Sequence, residues 1–307
     1  MHRATGLAGG LLAGAVLDAV LADPRRGHPV AGFGRAAARV EQRVWRDRRL
    51  AGMGYAAACA GGAAALGLLI QRAGRGRAGY PAVVALATWV VLGGESLRRE
   101  AGALHRLLED GDLAGARERL THLVGRDPAG LGPSEIARAG VESVAENTSD
   151  AVVAPLFWGA VAGVPGLLGY RAVNTLDAMV GHRSPRYQRF GWAAARLDDA
   201  ANLVPARLTA ILVAAVSGRP RAAWRAVRGD ARRHPSPNAG WCEAAFAGAL
   251  GIRLGGVNVY GDRVEQRPAL GDGDAPESAD LLRAAQLERR VAIAAALLAA
   301  LTACGRR

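Results

Sequence analysis

Residues 142–207 read ESVAENTSDAVVAPLFWGAVAGVPGLLGYRAVNTLDAMVGHRSPRYQRFGWAAARLDDAANLVPAR, and this stretch decides both the fold and the chemistry. An apolar segment at 151–170 separates an acidic cluster from a second cluster rich in arginine, aspartate and asparagine. Polar side chains beside apolar sequence are costly unless they face each other or a ligand. The apolar segment is long enough to cross a bilayer, but its prolines and glycines equally favour a broken or re-entrant segment.

The acidic cluster has the spacing of a helix. Pro133 and Ser134 are typical of a helix start. On that helix Glu142, Glu146 and Asp150 lie four residues apart, near one face. Like charges at this spacing cost a helix roughly 0.2–0.5 kcal/mol per pair. We therefore expect compensation by the arginines of the second cluster or by a divalent cation with oxygen ligands. A solvated acidic face is the alternative.

The second cluster also has helical spacing, with a break at 182–185. Two trios recur at every third residue: Arg171, Asn174 and Asp177, then Arg196, Asp199 and Asn202. An ordinary surface ladder of ion pairs would have the same spacing. Asn174 and Asn202 argue against that alternative, because asparagine is a poor helix former and these two lie among alanine, leucine and valine.

The composition favours membrane helices. Of 307 residues, 50% are hydrophobic and 5% aromatic, and the long apolar stretches are rich in alanine and leucine. The sequence predicts a mainly α fold: a polytopic helical membrane protein with amphipathic cytoplasmic helices and at most a small β-hairpin near 255–270. We treat 1–307 as one membrane domain with four segments: N-terminal membrane helices at 1–94, a soluble helical segment at 95–150, a central core at 151–217, and C-terminal helices with a loop at 218–307.

Individual segments refine this prediction. Three apolar runs are candidate membrane helices, at 5–22, 50–70 and 203–217. The run at 80–94 is short for a span, and the arginine-studded segment at 35–49 predicts an amphipathic helix on anionic headgroups. Asp18 lies inside the first candidate helix, where an ionisable residue is a functional candidate. A position near the water interface is the alternative for Asp18.

The charge restricts the partners. The formal net charge is +12, and every basic residue is arginine. The chain carries no nucleic-acid-binding motif, so we expect no nucleic-acid partner, which leaves the lipid bilayer and phosphate ligands. The three cysteines are far apart and imply neither a disulfide framework nor a zinc site. No Walker-type phosphate loop occurs, so any ATP site would combine arginines, carboxylates and Mg²⁺ differently.

Several runs resemble one family. They are ESVAENTSDAVVAPLFW, YRAVNTLDAMVGHRSPRYQRFGWAAARLDD, HPSPNAGWCEAAFAGALG, DPRRGHPV at 23–30 and NVYGD with RPALGDG near the C-terminus. In this order they resemble the CobD/CbiB family of adenosylcobinamide-phosphate synthases, which are multi-pass membrane proteins. The resemblance covers nearly the whole chain. It also makes His234, Ser236, Asn238 and Glu243 site candidates, for which a well-capped surface helix is the alternative.

The resemblance implies ATP-dependent amide-bond formation. The acid would be adenosylcobyric acid, and the amine 1-aminopropan-2-ol phosphate or a related amino alcohol. Phosphates would need arginine forks, Mg²⁺ a few carboxylates, and the attacking amine a base. An ATP-using site needs both polar clusters together in the cytoplasm, so we favour a broken 151–170 segment in a multi-pass protein of the cell membrane. Other cobalamin-pathway enzymes are possible partners.

The residues that would carry this chemistry form three sets. The catalytic candidates are Glu142, Glu146, Asp177 and His182. The candidates for substrate and phosphate binding are Arg171, Asn174, Arg183, Arg186, Arg196, Asp198, Asp199, Asn202, His234, Ser236 and Asn238. The Mg²⁺ candidates are Glu146 and Asp150. The individual roles are interchangeable within these sets.

A second class of function fits part of the pattern. A non-catalytic membrane carrier or binding component for a corrinoid would also place charged residues at broken helices. A helical membrane scaffold is a third alternative, but it leaves the polar clusters unexplained.

Overall fold

The computed structural model describes residues 2–24, 27–74, 76, 79–124, 127–182, 184–260 and 263–305. The protein is 77% helical with a small two-stranded antiparallel sheet. The predicted mainly α fold with a small hairpin is therefore confirmed. Arg183, a predicted phosphate ligand, lies outside the described residues.

The elements follow in chain order: α1 His2–Leu21, α2 Pro29–Val44, α3 Arg49–Ala73, α4 Gly79–Val91, α5 Gly94–Glu109, α6 Leu113–Leu120, α7 Pro133–Thr148, α8 Ala154–Ala162, α9 Val164–Leu176, α10 Trp192–Ala201, α11 Leu203–Val216, α12 Pro220–Asp230, α13 Ala239–Leu250, β1 Leu254–Tyr260, β2 Arg263–Leu270 and α14 Ser278–Gly305. Two π-helical turns add to them: the first π turn is Ser149–Val153 and the second π turn is Asp177–Gly181.

The chain forms two compact units that interleave along the sequence. The first unit comprises Met1–Gly93, Asp150–Leu203 and Ala295–Arg307, and the second comprises Gly94–Ser149 and Val204–Ala294. Two of the segment boundaries drawn from the sequence, after 94 and after 150, lie within one residue of the boundaries between the units.

Among the described residues, three helices are long and apolar enough to cross a membrane: Arg3–Leu21, Arg49–Ala73 and Gly79–Glu109. A fourth crossing is added if the bent pair α10 and α11 is one span. The predicted membrane helices at 5–22 and 50–70 agree with this result. The run at 80–94, which looks short in the sequence, continues into a longer candidate span.

In the first unit, glycines allow α1 to lie directly against α4. A Cβ added to Gly10 would come 2.5 Å from the Cβ of Val84, and one added to Gly14 would come 2.4 Å from the Cβ of Thr88. Such contacts are too close for any side chain. Small residues at this interface therefore bring the two backbones together, as is common between membrane helices.

The first unit also has an aromatic core around α3. The rings of Tyr55 and Phe190 lie 5.1 Å apart. They pack with Leu176 and Val180, at the end of α9 and in the second π turn. A Cβ at Gly52 would come 1.8 Å from the carbonyl oxygen of Phe190, so only glycine fits there. This core fixes the chain that follows the second π turn.

The apolar segment at 151–170 is broken at Gly163. This residue has φ +67°, a left-handed conformation that glycine adopts readily, and it separates α8 from α9. The Oε1 atom of Gln71 accepts a hydrogen bond from Val164 N at 3.0 Å, which satisfies a free donor at the start of α9. The break agrees with the sequence, whereas a re-entrant path in the membrane stays a prediction.

The second unit is built around α7 and α13, whose side chains are mostly buried. A Cβ at Gly248 would come 2.5 Å from the carbonyl oxygen of Ala222, so α12 crosses α13 closely. β1 and β2 form the predicted hairpin, with Val257 opposite Gln266 and an irregularity between Leu254 and Gly256.

Candidate functional site

Carboxylates and amides from three parts of the first unit converge. Asn174 Nδ2 on α9 donates to Asp150 Oδ2 in the first π turn at 3.2 Å and lies 3.4 Å from Asp198 Oδ1 on α10. Asn202 Nδ2, at the end of α10, donates to Asp198 Oδ2 at 3.0 Å. We call these four residues, together with Tyr170 and Arg171, the Asp150 cluster. The sequence proposed all of its members except Tyr170.

Tyr170 and Arg171 complete the hydrogen bonds of the two amides. The hydroxyl of Tyr170 donates to Asn202 Oδ1 at 2.8 Å. Arg171 Nη1 donates to Asn174 Oδ1 at 3.3 Å. Arg171 Nε is buried and has no hydrogen-bond partner among the described residues. Both asparagines therefore act as orienting groups, which explains two poor helix formers in apolar helices.

The two π turns carry predicted acidic residues. Asp150 lies in the first π turn, and Asp177 begins the second. A Cβ at Gly181 would come 1.8 Å from Asp177 Oδ1, so the Asp177 side chain covers this glycine. π turns are rare and are frequent at functional sites, because the extra residue redirects the side chains of the turn. Their positions support both aspartates as site candidates.

The three residues of the second predicted trio, Arg196, Asp199 and Asn202, do not share one site. Arg196 is exposed and pairs with Asp199 at 3.1 Å, as in the surface ladder that was the alternative. Asn202 is only 1% exposed and instead joins Asp198, four residues earlier. An exposed pair of this kind contributes about 0–1 kcal/mol. Arg196 and Asp199 therefore remain predictions without further support from the geometry.

The chain after the second π turn is anchored to α2. Arg186 Nη2 lies 2.9 Å from Glu41 Oε1, and its guanidinium lies 4.7 Å from the ring centre of Trp45. The hydroxyl of Tyr187 also donates to Glu41 Oε1, at 3.0 Å. The hydrogen bond with Glu41 raises the pKa of Arg186 above its usual value. The exposed His182 ring stacks edge-on against Tyr187, at 5.0 Å.

This arrangement gives Arg186 a structural partner that the sequence did not reveal. Glu41 is buried on α2, and the other charged residues of this helix are all arginines. A lone acidic residue among arginines is the sequence signal that could have identified Glu41. Arg186 and His182 stay predictions as phosphate ligand and catalytic residue.

In the second unit, Glu142 is engaged by the β-hairpin. Its Oε1 accepts from Gly255 N at 2.9 Å and lies 3.4 Å from Arg138 Nη1. Arg138 also donates to the carbonyl oxygens of Gly255 and, at 2.9 Å, Val257. Glu142 and Arg138 are both more than nine-tenths buried. This pair fixes the start of β1, a role that the sequence did not predict.

His234 lies in a buried polar group of the second unit. Its Nδ1 accepts a hydrogen bond from Ser236 N at 3.0 Å, which places the ring proton on Nε2. That Nε2 is 3.7 Å from Glu243 Oε1 and 3.4 Å from Arg267 Nη1. Burial and then the charge of Arg267 lower the pKa of His234 to about 4, so the ring is neutral at pH 7.

The other candidates near His234 stabilise the start of α13. Ser236 Oγ accepts from the backbone N–H groups of Asn238 at 3.3 Å and Ala239 at 3.2 Å. Asn238 Oδ1 accepts from Arg207 Nη1 at 2.7 Å, and that guanidinium lies 4.6 Å from the Trp241 ring. These contacts agree with the capping part of the alternative for Ser236, but α13 is a buried helix and not the surface helix of that alternative.

The predicted metal ligands are divided between the units. Glu146 is exposed on α7 in the second unit, whereas Asp150 is half-buried in the first unit. Within the residues that the structure covers, no three His, Cys, Asp or Glu side chains are grouped as metal ligands. Mg²⁺ commonly takes only one or two carboxylates with waters and substrate phosphates. The oxygens of Asp150 and Asp198 fit that smaller donor set.

A large apolar cavity adjoins the Asp150 cluster. Its volume is about 630 Å³, and it is lined by α2, α3, α4 and α9 of the first unit. Arg171 and Thr175 supply the polar side chains of a wall that is otherwise apolar. Arg171 therefore belongs to both the cavity and the polar cluster.

Comparison with known proteins identifies the family. The family model described as CobD/Cbib protein matches residues 11–288. A relative named cobalamin biosynthesis protein CobD, from Mycobacterium tuberculosis (strain ATCC 25618 / H37Rv), is 55% identical over 302 residues, or 97% of this chain and 96% of the relative. A relative of the same name from Rhodobacter capsulatus is 46% identical over 286 residues, or 91% of this chain and 90% of the relative.

A third relative with this name, from Geobacter metallireducens, is 44% identical over 279 residues, or 85% of this chain and 86% of the relative. No solved structure matches this chain. The matches run nearly end to end and agree with the motifs quoted above. The chain therefore belongs to the CobD/CbiB family of cobalamin biosynthesis proteins.

Proposed function

We propose that this chain is an ATP-dependent ligase of cobalamin biosynthesis. It joins the carboxyl group of adenosylcobyric acid to the amine of 1-aminopropan-2-ol phosphate, or a related amino alcohol, and yields adenosylcobinamide phosphate. Family membership supports the pathway. The single structural observation that supports a catalytic centre is the Asp150 cluster, where two carboxylates, two amides and one arginine meet.

The cluster suits phosphate chemistry because the carboxylate of Asp198 is oriented by neutral donors. Asp198 accepts from Asn174 and Asn202 and forms no ion pair with any residue in the described ranges. Its negative charge is therefore available to a cation. In the proposed complex Asp150 and Asp198 hold Mg²⁺, which supplies positive charge to the phosphates of ATP.

Arg171 is the phosphate ligand that we favour among the predicted arginines. Its guanidinium is half-buried and keeps an Nε donor without a partner among the described residues. A guanidinium binds phosphate by two parallel hydrogen bonds. Arg186 and Arg196 are weaker candidates, because each already pairs with a carboxylate.

The reaction balances in two steps. A carboxylate oxygen of the corrinoid acid attacks the γ-phosphorus of ATP, so that an acyl phosphate forms and ADP leaves. The amine nitrogen then attacks the acyl carbon, the C–N bond forms and inorganic phosphate leaves. The nitrogen loses a proton to a base, for which we propose Asp177 or His182, with Glu146 as the other predicted candidate. The apolar cavity beside Arg171 would limit the access of water to the acyl phosphate.

The site is proposed to face the cytoplasm, where ATP is present, in a protein of the cell membrane. Partners would be the two acceptor substrates and the bilayer, with other cobalamin-pathway enzymes as possible donors of the corrinoid acid. The break at Gly163 also suits a corrinoid carrier without catalysis, because transporters place polar sites at broken helices.

One experiment separates ligase from carrier. Full-length protein in lipid nanodiscs is incubated with ATP, Mg²⁺, adenosylcobyric acid and 1-aminopropan-2-ol phosphate. We expect inorganic phosphate and repeated turnover of ATP to ADP only when the corrinoid acid and the amino-alcohol phosphate are both present, together with formation of the amide by mass spectrometry. Saturable corrinoid binding without turnover would instead favour the carrier.

A further inference from the structure

The helix α12 presents a basic face that the proposed ligase chemistry does not use. Arg221, Trp224, Arg225 and Arg228 line one groove on it, and all four side chains are exposed. At about 100° per residue, these four positions fall within an arc of roughly 100° on the helix surface. The three arginines of this face form no ion pair with any residue in the described ranges.

The opposite side of α12 packs against the rest of the second unit. Ala223, Ala226 and Val227 are buried, and α12 lies close against α13 at Gly248. The one acidic residue of the helix, Asp230, accepts from Gly271 N at 2.9 Å and pairs with Arg233 at 3.2 Å. The basic face is therefore fixed in orientation, and no carboxylate of its own helix neutralises it.

The chain position of α12 ties this face to a membrane surface. α11 belongs to the bent pair that is long and apolar enough for a broken span or a re-entrant loop. It ends at Val216, and α12 begins at Pro220. Four residues reach at most about 14 Å when fully extended. The headgroup layer on each side of the hydrocarbon core is roughly 5–8 Å thick. The first turn of α12 must then lie in or beside the headgroups of the leaflet at which α11 ends.

The chemistry of the face matches that location. Tryptophan is enriched at the level of the headgroups, where its ring is half in water and its N–H finds a partner. Juxtamembrane arginines are attracted to anionic lipid by about 1 kcal/mol each, and the attraction decays within a Debye length. A soluble acidic protein would satisfy the arginines but would not explain the interleaved tryptophan beside a span.

We propose that the face formed by Arg221, Trp224, Arg225 and Arg228 binds the phosphate headgroups of anionic phospholipids, with the Trp224 ring inserted at the interface. The face then fixes the depth and orientation of the second unit at the membrane. The inference is independent of the ligase reaction and uses only the membrane position of α11.

The test measures the depth of Trp224 in the full-length protein. The protein is reconstituted in nanodiscs whose phosphatidylcholine or phosphatidylglycerol carries bromine atoms on the acyl carbons nearest the headgroup. Tryptophan emission is recorded for the protein and for Trp224→Phe, and the difference isolates Trp224 from the other tryptophans. We expect bromine to quench this difference signal strongly with phosphatidylglycerol, and more weakly with phosphatidylcholine alone or in high salt.

Charge variants then test the arginines. In Arg225→Gln/Arg228→Gln, the fraction of phosphatidylglycerol that gives half of the maximal quenching should rise about tenfold or more. The matched control is Arg253→Gln/Arg289→Gln, which removes the same charge from two exposed positions of the second unit outside the candidate spans and should match the unchanged protein. An unquenched Trp224, equal quenching in neutral and anionic nanodiscs, or equal shifts in the two double variants would each overturn the proposal.

Discussion

Carboxylates of the two units are held by different chemistry. In the second unit, Glu142 is buried against the guanidinium of Arg138 and the backbone N–H of Gly255. In the first unit, Asp198 accepts from two side-chain amides, of Asn174 and Asn202. Amides orient a carboxylate without cancelling its charge, whereas a guanidinium cancels it. The comparison indicates a structural task for Glu142 and a ligand-directed task for Asp198.

The largest effect, on the free energy of unfolding, should come from removing the arginine that neutralises Glu142. Arg138→Met removes the guanidinium that lies beside the buried carboxylate of Glu142 and also removes two hydrogen bonds from β1. We expect a loss of about 3–5 kcal/mol in the free energy of unfolding, measured by denaturant titration in mixed micelles. Arg196→Met, which breaks the exposed pair with Asp199, should cost at most about 1 kcal/mol. Equal losses in the two variants would contradict the structural task of Glu142.

The next effect concerns activity. Asp198→Asn keeps the shape of the side chain but removes the charge proposed to hold Mg²⁺. We expect turnover to fall about 100-fold or more, while the unfolding temperature falls by only a few degrees, because the amide of either Asn174 or Asn202 loses its acceptor. Asp47→Asn, an exposed carboxylate near Arg189 in the same unit, is the control and should be fully active. Normal turnover of Asp198→Asn would remove the Asp150 cluster from the proposed site.

A third prediction uses the titration of His234. Its pKa in the folded protein is about 4, below the value of about 6.5 expected for an unfolded chain. Between these values the unfolded chain binds a proton that the folded protein does not, so stability is complete above pH 6.5 and declines as the pH falls toward 4. At about 1.4 kcal/mol for each pH unit between the two values, we expect a loss of about 3 kcal/mol by pH 4.

The matching measurement compares unfolding temperatures across that pH range with those of His234→Asn. The asparagine Oδ1 can still accept from Ser236 N but does not titrate. The decline between pH 6.5 and pH 4 should become shallower in this variant. An identical pH profile in both proteins would show that other groups control the acid response.

The smallest effect should distinguish two buried tyrosines of the first unit. Tyr170→Phe removes the hydroxyl that donates to Asn202 and leaves a buried acceptor without its partner. This should cost about 1 kcal/mol in unfolding free energy and reduce turnover several-fold. Tyr55→Phe is the control, because the Tyr55 hydroxyl is buried without a hydrogen bond to the described residues. Comparable losses of stability and turnover in both variants would show that the Tyr170 hydroxyl has no specific role in the Asp150 cluster.

Much of the fold could be predicted from the sequence because local pattern determines it. Apolar length locates α1 and α3, and the glycine and proline content of 151–170 predicts the break that Gly163 provides. The hairpin near 255–270 follows from its alternating and turn-forming residues. The two-unit organisation could not be read in this way, because it depends on contacts between stretches far apart in sequence.

The sequence indicated which residues form the candidate site, but not which of them face each other. Steps of three residues rotate about 60° each around a helix, so Arg196 and Asn202 point apart by roughly 120°. A step of four residues rotates only about 40°, so Asp198 and Asn202 share a face. Glu41 and Arg186 are paired across 145 positions of sequence, and no local spacing could have indicated that contact.

In each π turn, the insertion or deletion of a single residue would rotate the helix on one side relative to the other. Each turn holds one residue more than an α-helical turn would. Deletion of one residue from 151–153 would restore α-helical winding and rotate α8 by about 100° relative to Asp150. The chain would remain helical and apolar, yet the phase between the buried face of α8 and Asp150 would be lost. One inserted residue thus makes the face that α8 buries independent of the direction in which the carboxylate points.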